Sequence, residues 1–151
     1  MPINVTFSGG EKLNAFFKNA GKGGVKSVDV GVFASSRYPD GTPVALVAAV
    51  QEFGTEDGRI PERPAIRNAN KTNENELIRI IKKNVEPETM VVDEVTAGKV
   101  GQSHQGATQK SIVDLRDPPN APSTLKQKAP QTNPLVKTGK YAQSITYKVN
   151  K

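Results

Sequence analysis

The only histidine, His104, is one side chain in this sequence that could do acid–base chemistry. Polar residues flank it in the sequence Gln-Ser-His-Gln-Gly, and its nearest acids along the chain are Glu94 and Asp114. Because a catalytic base needs apolar walls and an orienting carboxylate, this setting predicts an exposed histidine with no catalytic role. One histidine and no cysteine also exclude a multi-histidine or cysteine-based metal site.

Two Gly-Lys pairs, within residues 21–24 and 138–140, invite comparison with a phosphate-binding loop. A Walker loop has a further glycine five residues before the pair and a serine or threonine after the lysine, and both segments lack these residues. They are predicted to be turns at helix ends. The acidic pairs at 56–57 and 93–94 lack the alternating oxygen ligands of a calcium loop. The sequence therefore predicts no enzyme activity, no cofactor and no metal ion.

Charge is distributed unevenly along the chain. The net charge is +6, yet residues 1–60 and residues 61–117 each hold equal numbers of basic and acidic residues. The whole excess lies in residues 118–151, which contain six lysines and no acid. Such a segment either faces a polyanion or an acidic partner, or is simply solvated. Without arginine forks or stacked aromatic rings, it does not indicate sequence-specific reading of nucleic acid.

The length of 151 residues predicts one domain, and 13 glycines and 11 prolines predict long loops. The longest apolar run covers residues 44–50, which is too short to span a membrane. The Met-Pro-Ile start has no basic region ahead of an apolar stretch, as a secretory signal would have. We therefore expect a soluble protein made in the cytoplasm, without a membrane partner.

Periodicity predicts the elements that must position any site. Alternating apolar residues indicate strands near 3–8, 26–33 and 144–149, and helical spacing indicates helices near 11–20, 43–53, 64–85, 88–115 and 139–144. The helix at 43–53 is so rich in alanine and valine that we expect it to be the buried, central helix. The first half of the 64–85 helix is polar and is expected to face solvent or another subunit, whereas Leu77, Ile80, Ile81 and Val85 form an apolar stripe.

Glycines at 98, 101 and 106 predict that the helix at 88–115 is bent or loosely packed. Five prolines between residues 118 and 134 argue against continuous regular structure there. The fold class is accordingly α+β, with a small, mainly antiparallel sheet packed against two to four helices. Residues 1–151 form a single domain with extended loops near 34–42, 54–64 and 118–134.

The order of several short motifs points to a family. Arg-Tyr-Pro-Asp-Gly at 37–41, an apolar helix at 44–48, Gln-Glu-Phe-Gly-Thr at 51–55 and Ile-Pro-Glu-Arg-Pro-Ala-Ile-Arg at 60–67 form the first group. The second group is Pro-Pro-Asn-Ala-Pro-Ser-Thr from 118, Pro-Leu-Val-Lys-Thr-Gly at 134–139 and Ser-Ile-Thr-Tyr at 144–147. Together they cover about half the chain and resemble the tailed-bacteriophage neck and tail-completion proteins of the minor tail protein Z-like, virion morphogenesis type. The chain departs from that pattern at Ala65, where an aromatic residue is more common, and in the glycine-rich residues 97–106.

The resemblance implies a structural virion protein at the head–tail junction, made in the host cytoplasm. Such a protein caps the head-proximal end of the tail as a homo-oligomeric ring, with six copies expected. It meets the tail terminator and tail tube on one side and the head connector on the other, and DNA passes through the ring at ejection. An alternative is a small basic DNA-binding module that uses the lysine-rich C-terminal segment.

Two sets of residues are the candidate contact sites. The loops around residues 37–41 and 54–67 are expected to form one face of the ring contact. The subunit-interface candidates are Arg37, Tyr38, Phe53, Gly54, Ile60, Pro61, Arg63, Pro64 and Arg67. Tyr38, Phe53 and Ile60 could equally pack within one subunit. The candidates for the DNA channel or an acidic partner are Lys126, Lys128, Lys137 and Lys140.

Overall fold

The computed structural model describes residues 24–87 and 89–151. The predicted strand at 3–8, the predicted helix at 11–20 and the turn that begins at residue 21 therefore lie outside the described residues, apart from Gly24. The elements are β1 (Ser27–Val32), α1 (Val44–Phe53), α2 (Ala65–Asn84), α3 (Glu94–Asp114), α4 (Pro122–Lys128), α5 (Lys140–Gln143) and β2 (Ile145–Asn150). This is an α+β fold, as predicted.

The sheet in the described part of the chain pairs β1 with β2 in antiparallel orientation. The register places Ser27 opposite Asn150, Val30 opposite Tyr147 and Val32 opposite Ile145. The alternation that predicted both strands therefore faces its apolar side chains the same way, toward the helices. The predicted strand near 144–149 is confirmed as β2, which brings the chain back to the sheet after the proline-rich segment.

Helix α3 lies at the centre of the described fold, because it packs against α2, both strands and α5. Its N-terminus is capped by the side chain of Asp93, which accepts a hydrogen bond from the Thr96 amide at 2.7 Å. The helix is continuous over 21 residues, and the expectation that its glycines loosen the packing is wrong at Gly101. Gly101 is buried, and a Cβ built there would lie 2.6 Å from Cγ of Tyr147. The glycine thus lets the helix and β2 approach closely.

Helix α1 is not the central helix, which corrects the expectation from its composition. Its buried side chains are Val44, Ala48 and Glu52, one per turn. On the opposite side, the side chains of Leu46 and Phe53 are 59% and 70% exposed. Apolar composition predicts burial in general but does not show which sides are covered, and here only one side packs on the core.

Helix α2 lies beside α3. Its polar first half is largely exposed, as expected, with the exception of Ala69, which is fully buried. In the predicted apolar stripe, Leu77 and Ile80 are half-buried, while the side chain of Ile81 remains partly exposed. The stripe is therefore only partly covered by neighbouring elements in the described part of the chain.

The segment from 118 to 134 contains more regular structure than predicted. Pro122 begins the short helix α4, where a proline is tolerated because the first helical N–H groups need no intrahelical partner.

The hydrophobic core is formed by a set of buried side chains from α1, α2, α3, α5, β2 and the loops. These are Val44, Ala48, Ala65, Ile112, Leu115, Leu135, Tyr141 and Ile145.

Whether a helix could cross a membrane depends on its length and its hydropathy. Within residues 24–87 and 89–151, no helix combines the length and the apolar character needed to cross a bilayer.

Candidate functional site

The motif at 51–67 folds around the carboxylate of Glu52, which lies at the end of α1 and is almost fully buried. One oxygen accepts a hydrogen bond from the Ile66 amide at 3.0 Å, and the other accepts one from the Arg67 amide at 2.9 Å. These amides belong to the first turn of α2, where N–H groups lack intrahelical partners and the helix dipole favours a negative charge. Glu52 therefore fixes the end of one helix to the start of the next.

Arg67 completes this connection from the other side. Its Nε donates to Glu52 Oε1 at 3.1 Å, and its Nη2 donates to the Glu52 carbonyl and to Glu62. The guanidinium also lies 5.3 Å from the centre of the Phe53 ring, which is within the range of a cation–π interaction. The predicted interface residues Phe53 and Arg67 thus contact each other within one subunit.

Arg63 was predicted as an interface residue, and the structure instead places it inside the subunit, with 4% of its surface exposed. Its Nε and Nη2 donate to the carbonyls of Pro118 and Pro119, both at 2.9 Å, and its Nη1 donates to Gln51 at 3.1 Å. Burial lowers the pKa of Arg63. A guanidinium with several donors can connect segments that are far apart in sequence, and here it joins the two motif groups of the chain.

The loop from 54 to 62 is held by its backbone. Gly54 has φ of 71°, and a Cβ there would lie 2.8 Å from the Ile60 carbonyl oxygen. The Thr55 amide donates to the same carbonyl at 3.0 Å. Gly54 and Ile60 therefore shape this loop within the subunit, and Pro61 at its end is exposed. Pro64 immediately precedes α2 and is half-buried.

The other candidate loop, residues 34–42, contains two of the predicted interface residues, of which one is exposed and one is half-buried. Arg37 is exposed and donates to the Gly41 carbonyl at 3.0 Å. Tyr38 packs against the core cluster, and burial together with the charge of Asp40 raises its pKa. Of the residues weighed between interface and internal packing, Tyr38 packs internally and Phe53 is largely exposed.

Sequence reasoning missed Leu46. It lies two turns before Phe53 on the same side of α1, with exposed Ala49 between them, so that the three form an apolar outer face. We call Leu46, Ala49 and Phe53 the α1 outer face. The i, i+3, i+7 spacing of these residues was visible in the sequence, but the expectation of a helix buried on most sides hid it.

Three of the four predicted lysines, Lys128, Lys137 and Lys140, line one pocket of about 320 Å³. Tyr38 and Tyr141 line it as well. We call this the basic pocket. Lys126 is not among its described lining residues, although it lies on the same short helix as Lys128.

Lys128 is held in place by the loop that follows it. Its ammonium donates to the carbonyls of Asn133 at 2.8 Å and Pro134 at 3.0 Å. Burial, together with the positive charges of Arg63 and Lys137, lowers its pKa. Lys137 lines the same pocket as Lys128, so the geometry also brings these two like charges together.

Two further C-terminal lysines lie beside acids from other parts of the chain, and one of them forms an ion pair. Lys148 lies opposite Asp29 in the sheet register, and Lys151 lies 2.6 Å from Glu94. Folding therefore places acids that are distant in sequence beside part of the lysine-rich segment.

His104 is half-buried, which corrects the prediction of an exposed side chain. It borders an apolar groove formed by Leu77, Ile78 and Ile81, and burial lowers its pKa. Its Nδ1 atom is buried and has no hydrogen-bond partner in the described part of the chain. Its polar sequence neighbours misled the prediction, since on a helix they point to other sides.

Among the residues that the structure describes, no group of three or more histidine, aspartate or glutamate side chains is placed to hold a metal ion. Comparison of the chain with protein-family models, with curated proteins and with solved structures gives no match.

Proposed function

We propose that this chain is a structural protein of the neck of a tailed bacteriophage, where it completes the tail and joins it to the head. The proposal rests on the ordered motifs at 37–67 and 118–147 and on their place in the fold. Those motifs are joined by Arg63, which donates to the Pro118 and Pro119 carbonyls. Two motif groups that are held together within one subunit define a fixed surface. A fixed surface is what an assembly protein needs to contact its neighbours.

The observation that carries the proposal is the α1 outer face. Leu46 and Phe53 are two large apolar side chains, both more than half exposed, on one side of a helix that Glu52 and Arg67 hold firmly at its end. Exposed apolar surface rimmed by polar groups is typical of protein–protein contact sites. We propose that a neighbouring copy of this chain covers this face in the ring.

A ring requires two different complementary faces on each subunit. The α1 outer face, with the exposed residues Arg37 and Pro61, forms one of them in this proposal. The ring has six copies, meets the tail terminator and tail tube on one side and the head connector on the other, and surrounds the DNA path. The exposed lysines Lys126 and Lys137 supply a favourable, non-specific field toward DNA.

Substitution of Leu46 by aspartate tests this proposal. The side chain is exposed, so the variant is expected to fold, but a charge on the outer face should block the contact with the next copy. Supplied in place of the parent chain during phage production, Leu46→Asp should give separate heads and tails in electron micrographs. Phe53→Asp should give the same result.

The matched control is Val95→Asp, which introduces the same charge at an apolar side chain that is 65% exposed on another helix. The control should join heads to tails normally. Normal joining by Leu46→Asp and Phe53→Asp, with circular dichroism showing folded proteins, would contradict the proposed contact.

A DNA-binding module is the second candidate, and the convergence of three lysines on the basic pocket favours it. Binding to duplex DNA should then weaken steeply as salt rises, because each neutralised phosphate releases counterions. Negligible binding at low salt would exclude this candidate.

A further inference from the structure

We propose that the basic pocket is a binding site for the carboxylate of an acidic side chain, presented by a peptide segment of a partner protein. The site goes beyond the proposed function, because it holds for any assembly in which a partner supplies such a segment. It is distinct from the α1 outer face, which is apolar.

The charge of the pocket is the first argument. Lys128, Lys137 and Lys140 come from two chain segments, and none of the described lining residues is acidic. Arg63 donates to the Pro118 and Pro119 carbonyls, in the segment that leads into α4, and after burial its charge contributes with that of Lys137 to lowering the pKa of Lys128. Like charges this close repel one another, and an anion bound between them removes that repulsion.

Tyr141 supplies the second argument. It is 4% exposed and lines the pocket, and among the described residues its hydroxyl has no hydrogen-bond partner. Burial is the main cause that raises its pKa, so the hydroxyl remains protonated and can donate. The nearby acid Glu52 is already bonded to the start of α2 and to Arg67. The hydroxyl oxygen itself is closed to solvent, so an acceptor reaches it only if the Tyr141 ring shifts toward the pocket, and such a shift would pair a buried donor that otherwise has no partner among the described residues.

The rigidity of the pocket is the third argument. Lys128 donates to two backbone carbonyls, which use two of the three N–H groups of its ammonium. The third N–H group can donate to a ligand. A fixed ammonium loses little freedom when it binds a ligand. The site is therefore preorganised, unlike a row of lysines on a solvated surface.

The lining favours a peptide over duplex DNA. Val47, Pro134 and Leu135 contribute apolar walls, and these suit the methylene groups and neighbouring side chains of a peptide. A duplex presents its phosphates along a convex surface, where flexible lysines reach them without a recess. A recess of about 320 Å³ with apolar walls instead fits a side chain that inserts.

The test uses the full chain labelled with nitrogen-15 and a short peptide that alternates glutamate and leucine. Its matched control is the same peptide with glutamine in place of glutamate. Titration followed by heteronuclear NMR should give saturable shifts of the amide signals of Lys128, Thr138, Gly139 and Tyr141, which the glutamine peptide does not give. Equal shifts with both peptides, or shifts elsewhere in the chain only, would overturn the proposal.

Variants sharpen the result. Lys137→Gln and Lys140→Gln should each weaken binding of the acidic peptide about fivefold, whereas Lys126→Gln, which removes the same charge from outside the pocket, should leave it unchanged. Tyr141→Phe should also weaken binding while the melting temperature stays the same or rises, because the unpaired hydroxyl is removed. An equal effect of Lys126→Gln, or no effect of Tyr141→Phe, would show that only general charge attracts the peptide.

A final titration distinguishes a DNA source for the anion. The acidic peptide should displace a short DNA duplex from the pocket signals, or the duplex should not shift them at all. Saturable shifts with the duplex that the peptide cannot reverse would overturn the peptide proposal in favour of DNA.

Discussion

At the scale of single residues, Glu52 explains why the motif at 51–67 has its particular residues. A buried carboxylate is unfavourable unless it is paired, and here two backbone amides and Arg67 pair it. Pro64 precedes α2 and offers no side-chain cap, so the cap comes from Glu52 on the helix before. Glu52, Gly54 two residues later and Arg67 together fix the connection between α1 and α2.

Replacement of Glu52 by glutamine tests whether this carboxylate caps α2. The amide keeps one acceptor but loses the charge that the helix start and Arg67 both require. We expect the free energy of unfolding to fall by about 2 kcal/mol, measured by urea denaturation. The control is Glu62→Gln, which removes the exposed acid that pairs with the same arginine. It should cost less than about 1 kcal/mol. Equal losses in both variants would contradict the capping role.

His104 gives a prediction for pH dependence. Burial holds its pKa in the folded state below the ordinary value of 6.5, so the unfolded chain binds the proton first as pH falls. The contribution of His104 to stability is therefore complete above about pH 6.5 and is lost as pH falls toward the folded-state pKa. Lys71 and Glu74 line the same groove, but burial is the cause of the shift.

The check is a series of thermal melts of the parent chain and of His104→Gln between about pH 7 and pH 5. The melting temperature of the parent should fall in this range, and that of the variant should fall less. The carboxyls whose pKa values are lowered, such as Asp93, lose their contribution at lower pH and do not interfere. A parallel decline of both proteins would show that His104 is not the titrating group.

At the scale of elements, the close approach of α3 to β2 organises the fold. Gly101 faces the Tyr147 ring, whereas Gly106, five residues later on the same helix, has open space where a Cβ would stand. The sequence shows two similar glycines in one helix, and their roles differ because only one faces the sheet. Helix propensity alone therefore predicted loose packing at a glycine that the structure buries closely against Tyr147 of β2.

The two glycines make a matched pair for mutation. Gly101→Ala should lower the free energy of unfolding by about 1–3 kcal/mol, because the new methyl group pushes the Tyr147 ring away. Gly106→Ala should raise it by about 0.5–1 kcal/mol, because alanine favours the helix and meets nothing. Chemical denaturation of both variants measures these changes. Stabilisation by both would contradict the close packing of α3 on β2.

At the scale of the whole molecule, periodicity predicted most of what is local. Apart from α4, the described helices, both described strands and the α+β class follow from the spacing of apolar residues, and element ends differ by a few residues. Long-range partners could not be predicted in this way. The bonds from Arg63 to the Pro118 and Pro119 carbonyls join positions 55 and 56 residues apart, and no local pattern specifies them.

The candidate sites show the same division. The sequence singled out Lys128, Lys137 and Lys140 as basic, but their meeting around Tyr141 depends on how the loops pack. It also named Phe53 while missing Leu46, because burial of a helix on one side depends on its partners. Arg63 was assigned to the subunit interface as part of the 54–67 loop, and its internal role rests on carbonyls that the fold supplies.

The most direct test of the proposed structural role is electron microscopy of purified phage particles assembled with this chain carrying a visible label. The account predicts label at the junction of head and tail, with six copies arranged in a ring. Particles that join heads to tails normally and carry no label at that junction would contradict it.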